Sequence, residues 1–324
     1  MIFVQTNDAR ENELLSFTRD LKPAWRGGTG GRGTGTPHLP SQGSIVTDGT
    51  HVVVANAGSH DISVFTTGGE LAARSSSGGE RPVSIALRGD RAYALNADSA
   101  SIQGFTLAER SIAPLARSLY ALPDGADPAQ IAFAPDGKSL IVTDRAGNSI
   151  VSIELDGDGL PRRTAVFPSA GKTPYGFDFA GGTLVVTEAF GGQAGAAAAS
   201  SYRVNGRIEP VSASVPNLRS EVCWAVASQN GRHVWVTNFG DGTISRYDVA
   251  ADGTLELGEA VAATTVEGAK GVRDAARNAD GDRLYALDAD AGRVFSYRIE
   301  DDGALSPLDA ADGLPETVAG LAAV

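Results

Sequence analysis

One unit recurs seven times along the 324 residues of this chain, and this repeat constrains the fold more than any other feature. In each copy an apolar run ends in Asn, Asp or Glu, and a polar turn and a second, alternating run follow it. The residues that end the apolar runs, called landmark residues below, are Asn7, Asn56, Asn96, Asp144, Glu188, Asn238 and Asp288. They are 40 to 50 residues apart, which is the period of a propeller blade.

Turn residues divide each unit into four strands. Asp136-Gly137 and Asn230-Gly231 lie just before an apolar run, and pairs of this kind favour tight hairpin turns. Asp252-Gly253 and Asp302-Gly303 mark a further hairpin later in their units. Seven units of four antiparallel strands predict an all-β, seven-bladed β-propeller, with residues 1–324 forming a single domain.

Two features predict how the blades pack and how the chain ends meet. Ile62 and Phe65 follow the landmark Asn56 by six and nine residues, so they face opposite ways on a strand and can contact the two neighbouring sheets. Met1 begins inside a blade, and Pro315–Val324 matches the inner-strand sequences of other blades. We therefore expect the C-terminal strand to pair with the N-terminal blade and to remove an open sheet edge.

Composition excludes several classes of partner. A net charge of −12 disfavours nucleic acid and anionic membranes, and no apolar run approaches the 18 residues of a membrane span. The N-terminus does not resemble a signal peptide and Cys223 is the single cysteine, so the sequence favours the cytoplasm. The four histidines occur singly, so we expect no metal site and no cofactor. The oligomeric state is left open.

A glycine-rich run, Arg26–Gly43, contains the spacing G-x-G-x-x-G at Gly28, Gly30 and Gly33. A dinucleotide site of this kind needs a helix after the glycines, but Thr36, Pro37 and Pro40 follow instead. We therefore interpret the run as a long loop. Two readings stay open: a mobile surface loop, or a flap that covers a substrate.

Polar residues at the starts of the inner strands are the candidate binding residues. In a propeller these positions meet at the mouth of the central channel, on the face that also carries the loops after the landmarks. The candidates for substrate binding are Gln42, Gln130, Tyr175, Trp224 and Asp274 at these positions, together with His38 on the glycine-rich loop, which we expect to lie over the same mouth. A second long loop, predicted from Ala189 to Ser200, lies on the same face, and loops on rigid scaffolds often carry function.

Two residues are candidates for catalysis. Glu188 is the only glutamate among the landmarks; it is either a solvent-exposed turn residue or a general acid–base group with a raised pKa. Arg273 precedes Asp274 and forms either a surface ion pair or an anion-binding guanidinium. Trp224 is more typical of a packing residue than of a stacking platform, and Cys223 has no activating histidine in the sequence.

The blade sequences APDGKSLIVTD (Ala134–Asp144) and QNGRHVWVTN (Gln229–Asn238) resemble the lactonase-like seven-bladed propeller family. That family includes propeller-type 6-phosphogluconolactonases and carboxy-cis,cis-muconate cyclases, and YVTN-type repeat proteins share its blade motif. The resemblance implies lactone chemistry carried by a histidine, two arginines and a glutamate. Glu188 and Arg273 match two of these positions, whereas Gln130 replaces the histidine and Tyr175 replaces the other arginine.

Two functions follow as hypotheses. The first is a lactonase-like hydrolase or isomerase that acts on a small oxygen-rich acid or lactone at the channel mouth. Because Gln130 cannot transfer protons and Tyr175 cannot hold an anion by charge, the alternative is a non-catalytic propeller that binds a ligand or a protein partner.

Overall fold

The computed structural model of the chain describes residues 1–37 and 39–324, and its strands form seven antiparallel sheets. The predicted seven-bladed β-propeller is confirmed. The first three sheets are composed of β1 (Ile2–Thr6), β2 (Glu13–Phe17), β3 (Pro23–Gly28) and β29 (Val318–Ala323); β4 (Ile45–Thr47), β5 (His51–Asn56), β6 (Asp61–Thr66) and β7 (Leu71–Ser76); and β8 (Pro82–Arg88), β9 (Arg91–Asn96), β10 (Ser101–Ala108), β11 (Ser111–Pro114) and β12 (Tyr120–Ala121).

The remaining four sheets have four strands each. They are composed of β13 (Pro128–Phe133), β14 (Ser139–Asp144), β15 (Ser149–Leu155) and β16 (Pro161–Pro168); β17 (Pro174–Ala180), β18 (Thr183–Glu188), β19 (Ala198–Val204) and β20 (Ile208–Pro216); β21 (Val222–Ala227), β22 (His233–Asn238), β23 (Thr243–Val249) and β24 (Leu255–Thr264); and β25 (Val272–Arg277), β26 (Arg283–Asp288), β27 (Arg293–Ile299) and β28 (Leu305–Ala311). The third sheet alone departs from four strands, because its outer strand is divided into β11 and β12, which both pair with β10.

Two compact units can be distinguished in the chain. Unit 1 comprises residues 1–142, 151–166 and 315–324, and unit 2 comprises residues 143–150 and 167–314. Unit 1 contains the first three blades and most of the fourth. Unit 2 contains the last three blades and the tip of the β14–β15 hairpin.

The landmark residues end the second strand of their blades, except Asn7, which directly follows β1. Their side chains are buried, and those of Asn56, Asp144, Glu188 and Asn238 hydrogen-bond to polar side chains of the strand that follows. The Asn238 amide, for example, donates to Thr243 at 3.1 Å and to Ser245 at 2.9 Å. Because a buried polar group is normally paired, these contacts explain why the apolar runs of these four blades end in a residue with an amide or carboxylate side chain.

The two apolar positions after the landmark pack as predicted. Ile62 lies in a cluster with Ala94 and Phe105 of the third blade. Phe65 lies in a cluster with Phe3 and, at its edge, Trp25 of the first blade. One strand thus contributes to the apolar interfaces on both sides of its sheet.

Both chain ends contribute to the first blade, as expected. β29 pairs with β1, with Ile2 opposite Ala323 and Phe3 opposite Ala322. The paired part of the C-terminus is shorter than the predicted segment, since it begins at Val318. Its core residues Val318 and Leu321 are buried.

The inner strands of the last three blades share an irregular start. Thr173, Glu221 and Gly271 precede β17, β21 and β25 with positive φ angles, and their carbonyls accept hydrogen bonds from residues just after a landmark. The pairing then slips: Val272 is opposite Asp288 and Asp274 is opposite Leu287, so Arg273 is an extra residue in a β-bulge. Bulges of this kind redirect a side chain, and they recur beside binding sites.

The two predicted loops are shorter than expected. The glycine-rich run begins inside β3, where the Arg26 side chain forms an ion pair with Glu13 of β2. The second loop ends at Ala198, where β19 begins. Both corrections have the same reason: small residues such as Gly27, Gly28 and Ala198 are compatible with a strand when its partner strand supplies the hydrogen bonds. No helix is described between β3 and β4, which agrees with the rejection of a dinucleotide site.

Candidate functional site

Unit 2 brings together the first residues of its inner strands and the loops that follow the landmarks. Two threonines that directly precede landmarks, Thr143 and Thr187, help to fix this arrangement. Thr143 donates a hydrogen bond to the carbonyl of Tyr175 at 2.5 Å, and Thr187 donates to the carbonyl of Cys223 at 2.6 Å. Each hydroxyl therefore ties one blade to the start of the next inner strand, which gives the side chains there a defined position.

Two cation–π pairs occupy equivalent positions in different blades. In one pair the arginine follows the landmark, and in the other the aromatic residue does. The guanidinium carbon of Arg145, which follows a landmark, lies 5.0 Å from the ring centre of Tyr175 on the next inner strand. Phe239 also follows a landmark, and the guanidinium carbon of Arg273 on the next inner strand lies 4.1 Å from its ring centre. Aromatic faces attract guanidinium groups, so each ring holds its arginine in place.

Between these two pairs along the chain, small residues occupy both equivalent positions: the one after the landmark and the one on the next inner strand. Ala189 follows the landmark Glu188, and Cys223 is the second residue of β21. Arg145 and Arg273 both lie near enough to the Cys223 thiol to act on its pKa. The two guanidinium groups therefore share the neighbourhood of one thiol, with small side chains rather than large ones between them.

Arg273 is further oriented by a carboxylate. Its Nη2 and Nε atoms donate to the same oxygen of Asp290 at 3.0 and 3.3 Å. The adjacent Asp274 is not its partner: that carboxylate is buried and accepts the backbone N–H of Ala275 at 2.8 Å. This ion pair uses two of the five N–H donors of the guanidinium group, so it orients the group without using all of its donors.

The Cys223 thiol is not activated. Burial raises its pKa to about 12, and the negative charge of Glu221 adds to this effect, whereas Arg273 and Arg145 oppose it. The thiol also contacts the carbonyl of Glu221 at 3.3 Å. Since the thiolate is the nucleophile, this cysteine is not a nucleophile at neutral pH.

Glu221 was not singled out from the sequence, yet its carboxylate lies beside this cluster. Its Oε2 atom is buried and accepts no hydrogen bond within the described part of the chain. A buried carboxylate oxygen is normally paired with a donor, so this oxygen is a candidate hydrogen-bond acceptor. The sequence signal was its place directly before the inner strand β21, whose second and third residues are Cys223 and Trp224.

Glu188 lies inside the fifth blade with no exposed surface. Its two oxygens accept hydrogen bonds from the Gly171 N–H at 2.7 Å, from the Ser214 hydroxyl at 2.6 Å and from the Ser200 hydroxyl. Burial raises the pKa of this carboxyl, and the hydroxyl and amide donors oppose the rise. The alternative of a solvent-exposed turn residue is therefore wrong, because strands β19 and β20 cover the side chain. Its catalytic role stays a prediction.

The other predicted binding residues are distributed over both units. Trp224 is buried, and its ring lies 5.8 Å from that of Tyr175, in agreement with a packing role. Gln42 and Gln130 belong to unit 1, where Gln130 is buried and the Gln42 carbonyl accepts the Ser84 hydroxyl at 2.6 Å. His38 lies outside the described residues. The substrate-binding roles of all these residues stay predictions.

Arg145, like Glu221, is a residue of this cluster that sequence reasoning missed. A signal was present, since it directly follows a landmark, at the position that Phe239 holds two blades later. Among the residues that the structure describes, no three His, Cys, Asp or Glu side chains are grouped so as to hold a metal ion. No helix in the described chain has the length and apolarity needed to cross a membrane.

Comparisons with known proteins bear on the fold. No protein-family model and no curated protein sequence matches the chain. A Desulfotomaculum acetoxidans protein of unknown function is 16% identical over 98% of both chains, with a TM-score of 0.75. A Bacteroides fragilis protein provisionally named 6-phosphogluconolactonase is 15% identical over 99% of this chain and 96% of its own, with a TM-score of 0.73. The periplasmic gluconolactonase of Pseudomonas aeruginosa is 17% identical over 99% of this chain and 98% of its own, with a TM-score of 0.71.

The chain has the fold of these seven-bladed propellers. The resemblance inferred from the blade sequences is thus supported at the level of three-dimensional structure over nearly the whole chain. At 15 to 17% identity the likeness describes the scaffold of this chain and leaves its function open.

Proposed function

We propose that this lactonase-like propeller is an enzyme that hydrolyses a small, oxygen-rich acidic lactone at the cluster of Arg145, Tyr175 and Arg273. The observation that carries the proposal is the pair of guanidinium groups that share the neighbourhood of Cys223, each placed against an aromatic ring. The names of the structurally similar lactonases support the reaction class.

The two arginines have different tasks in this proposal. Arg273 binds the substrate carboxylate through paired N–H donors, a geometry that guanidinium groups favour. Arg145 donates to the lactone carbonyl oxygen and stabilises the negative charge that develops there during attack. The phenol of Tyr175 lies under Arg145 and lines the same place.

Glu221 supplies the acid–base step. Its carboxylate, on a half-buried side chain, accepts a proton from water, whose oxygen attacks the lactone carbonyl carbon. When the ring C–O bond breaks, the same proton passes to the leaving ring oxygen, and an open hydroxy acid is formed. Glu221 is favoured over Glu188 because both oxygens of Glu188 already accept hydrogen bonds.

A lactone panel with and without a carboxylate substituent tests the proposal, with turnover followed by acid release. E221Q should lower kcat by about 10²–10⁴-fold, the usual contribution of a general base. R273A should raise KM for the acidic lactones only, and R145A should lower kcat. Arg163 is exposed on β16, so R163A is the control that removes one charge and should change neither constant.

Two other outcomes would contradict parts of the proposal. Normal turnover by E221Q and loss of turnover by E188Q would transfer the acid–base role to Glu188. If no lactone is hydrolysed but small acids raise the unfolding temperature of wild type and not of R273A, the enzyme proposal is wrong. The chain would then be a non-catalytic propeller that binds its ligand at Arg273.

A further inference from the structure

A polar pocket of about 470 Å³ in unit 1 adjoins the glycine-rich run. Arg10 lies in the loop after β1, Arg32 in the glycine run and Arg74 on β7, and all three side chains line the pocket. Glu11 and Asp61 are its acidic residues. None of these residues belongs to the site proposed for lactone hydrolysis.

Positive charge predominates in this pocket although the whole chain carries a net charge of −12. Asp61 is buried, accepts the Asn56 amide at 2.7 Å and lies 4.0 Å from Arg74, so its charge is already paired. Neither Arg10 nor Arg32 forms a side-chain ion pair within the described residues. Glu11 is the remaining negative charge that faces an incoming anion.

The backbone of residues 29–37, here called the glycine strap, is fixed against the landmark loops of the first two blades. The Arg32 N–H donates to the Ser59 hydroxyl at 2.8 Å, and the Arg32 carbonyl accepts the Gly58 N–H at 2.9 Å. A Cβ atom at Gly31 would lie 2.4 Å from the Asn56 side chain, and one at Gly33 would lie 2.1 Å from the Asn7 backbone. The strap therefore holds Arg32 at the pocket without using its side chain.

We propose that this pocket binds the phosphate group of a small phosphate monoester. Guanidinium groups from three separate segments suit a tetrahedral group with three terminal oxygens better than a carboxylate, whose two oxygens lie in one plane. The pocket is larger than a phosphate ion, so it leaves room for the organic part of the ester. The Glu11 carboxylate lowers the affinity, because it places a negative charge beside the anion.

A ³¹P NMR titration at constant ionic strength tests the proposal, with glycerol phosphate and inorganic phosphate as separate probes. R32A should weaken the binding of glycerol phosphate by about tenfold, since one charge-assisted contact is lost and the strap is kept. R74A should weaken it similarly, E11Q should strengthen it, and R163A should leave it unchanged. Lactone turnover should not change in R32A.

Equal binding of both probes would support recognition of the phosphate group alone, and tighter binding of the ester would support a site that also contacts the organic part. The proposal is overturned if R32A and R163A bind glycerol phosphate equally, or if sodium chloride added at the same ionic strength competes as well as phosphate does. Unfolding temperatures of the variants within a few degrees of wild type confirm that the pocket is folded in each case.

Discussion

At the scale of single residues, Glu188 couples stability to pH. Because burial raises its pKa above the ordinary value of 4.5, the folded protein binds this proton more tightly than the unfolded chain does. The resulting stabilisation is fully present below pH 4.5 and is lost as the pH rises through the raised pKa. Each unit of elevation corresponds to about 1.4 kcal/mol.

We therefore expect the free energy of unfolding of wild type, relative to E188Q, to fall as the pH rises above 4.5. Denaturant unfolding of both proteins across this range measures the difference. E209Q changes an exposed glutamate of the same blade and is the matched control, for which the difference should stay constant. A difference that grows with pH would show that the hydrogen bonds, rather than burial, dominate the pKa of Glu188.

The glycine strap provides a second prediction at this scale. A Cβ atom at position 33 would meet the backbone of Asn7, which cannot move without disturbing the first blade. G33A should cost about 1–3 kcal/mol of unfolding free energy, as overpacked sites do. Gly182 has open space around its position, so G182A is the control and should be neutral or slightly stabilising. Equal unfolding midpoints for both variants would mean that the backbone of the strap shifts to accommodate the added methyl group at little cost in free energy.

At the scale of elements, Asp178 and Arg277 connect three inner strands through the backbone N–H and the backbone carbonyl of one residue, Ala227. The Asp178 carboxylate on β17 accepts the Ala227 N–H at 2.8 Å, and the Arg277 guanidinium on β25 donates to the Ala227 carbonyl at 3.0 Å. The positive charge of Arg277 also lowers the pKa of Asp178, although burial dominates and raises it. The two side chains thus secure β21 from both sides.

D178A should cost about 1–3 kcal/mol, because a peptide N–H loses its partner. R277M should also destabilise the chain, and the double variant should cost less than the sum of the two single variants, since neither charge then remains without the other. Denaturant unfolding of the four proteins gives the coupling energy. Strict additivity would show that the two residues act on β21 independently.

At the scale of the whole molecule, the first blade depends on both chain ends. The buried side chains Val318 and Leu321 contribute roughly 1.5–3 kcal/mol each, which together is a large part of the 5–15 kcal/mol that stabilises a typical domain. Truncation after Leu314 should leave β1 as an open sheet edge and give insoluble or oligomeric protein, as size-exclusion chromatography would show. Removal of Val324 alone leaves all of β29 in place and should give a monodisperse protein that elutes like the full chain. A monomeric truncated chain with the parent's unfolding temperature would contradict this account.

The sequence by itself determined the number of blades, the order of their strands and the pairing of the two chain ends. These features depend on local chemistry: apolar alternation has the period of a strand, Asp-Gly and Asn-Gly favour hairpin turns, and a short polar side chain ends each buried run. Ile62 and Phe65 could be assigned to opposite interfaces for the same reason, because their spacing alone sets the faces on which they lie.

Only the tertiary structure decided which side chains meet. Arg145 and Tyr175 are thirty residues apart in the chain, and their contact depends on the packing of one blade against the next and on an inner strand that starts with a bulge. The same packing encloses Glu188 among serine hydroxyls and leaves an oxygen of Glu221 without a donor. Local patterns specify the blade because they act over a few residues, whereas the candidate site is formed by contacts between blades, which no local pattern encodes.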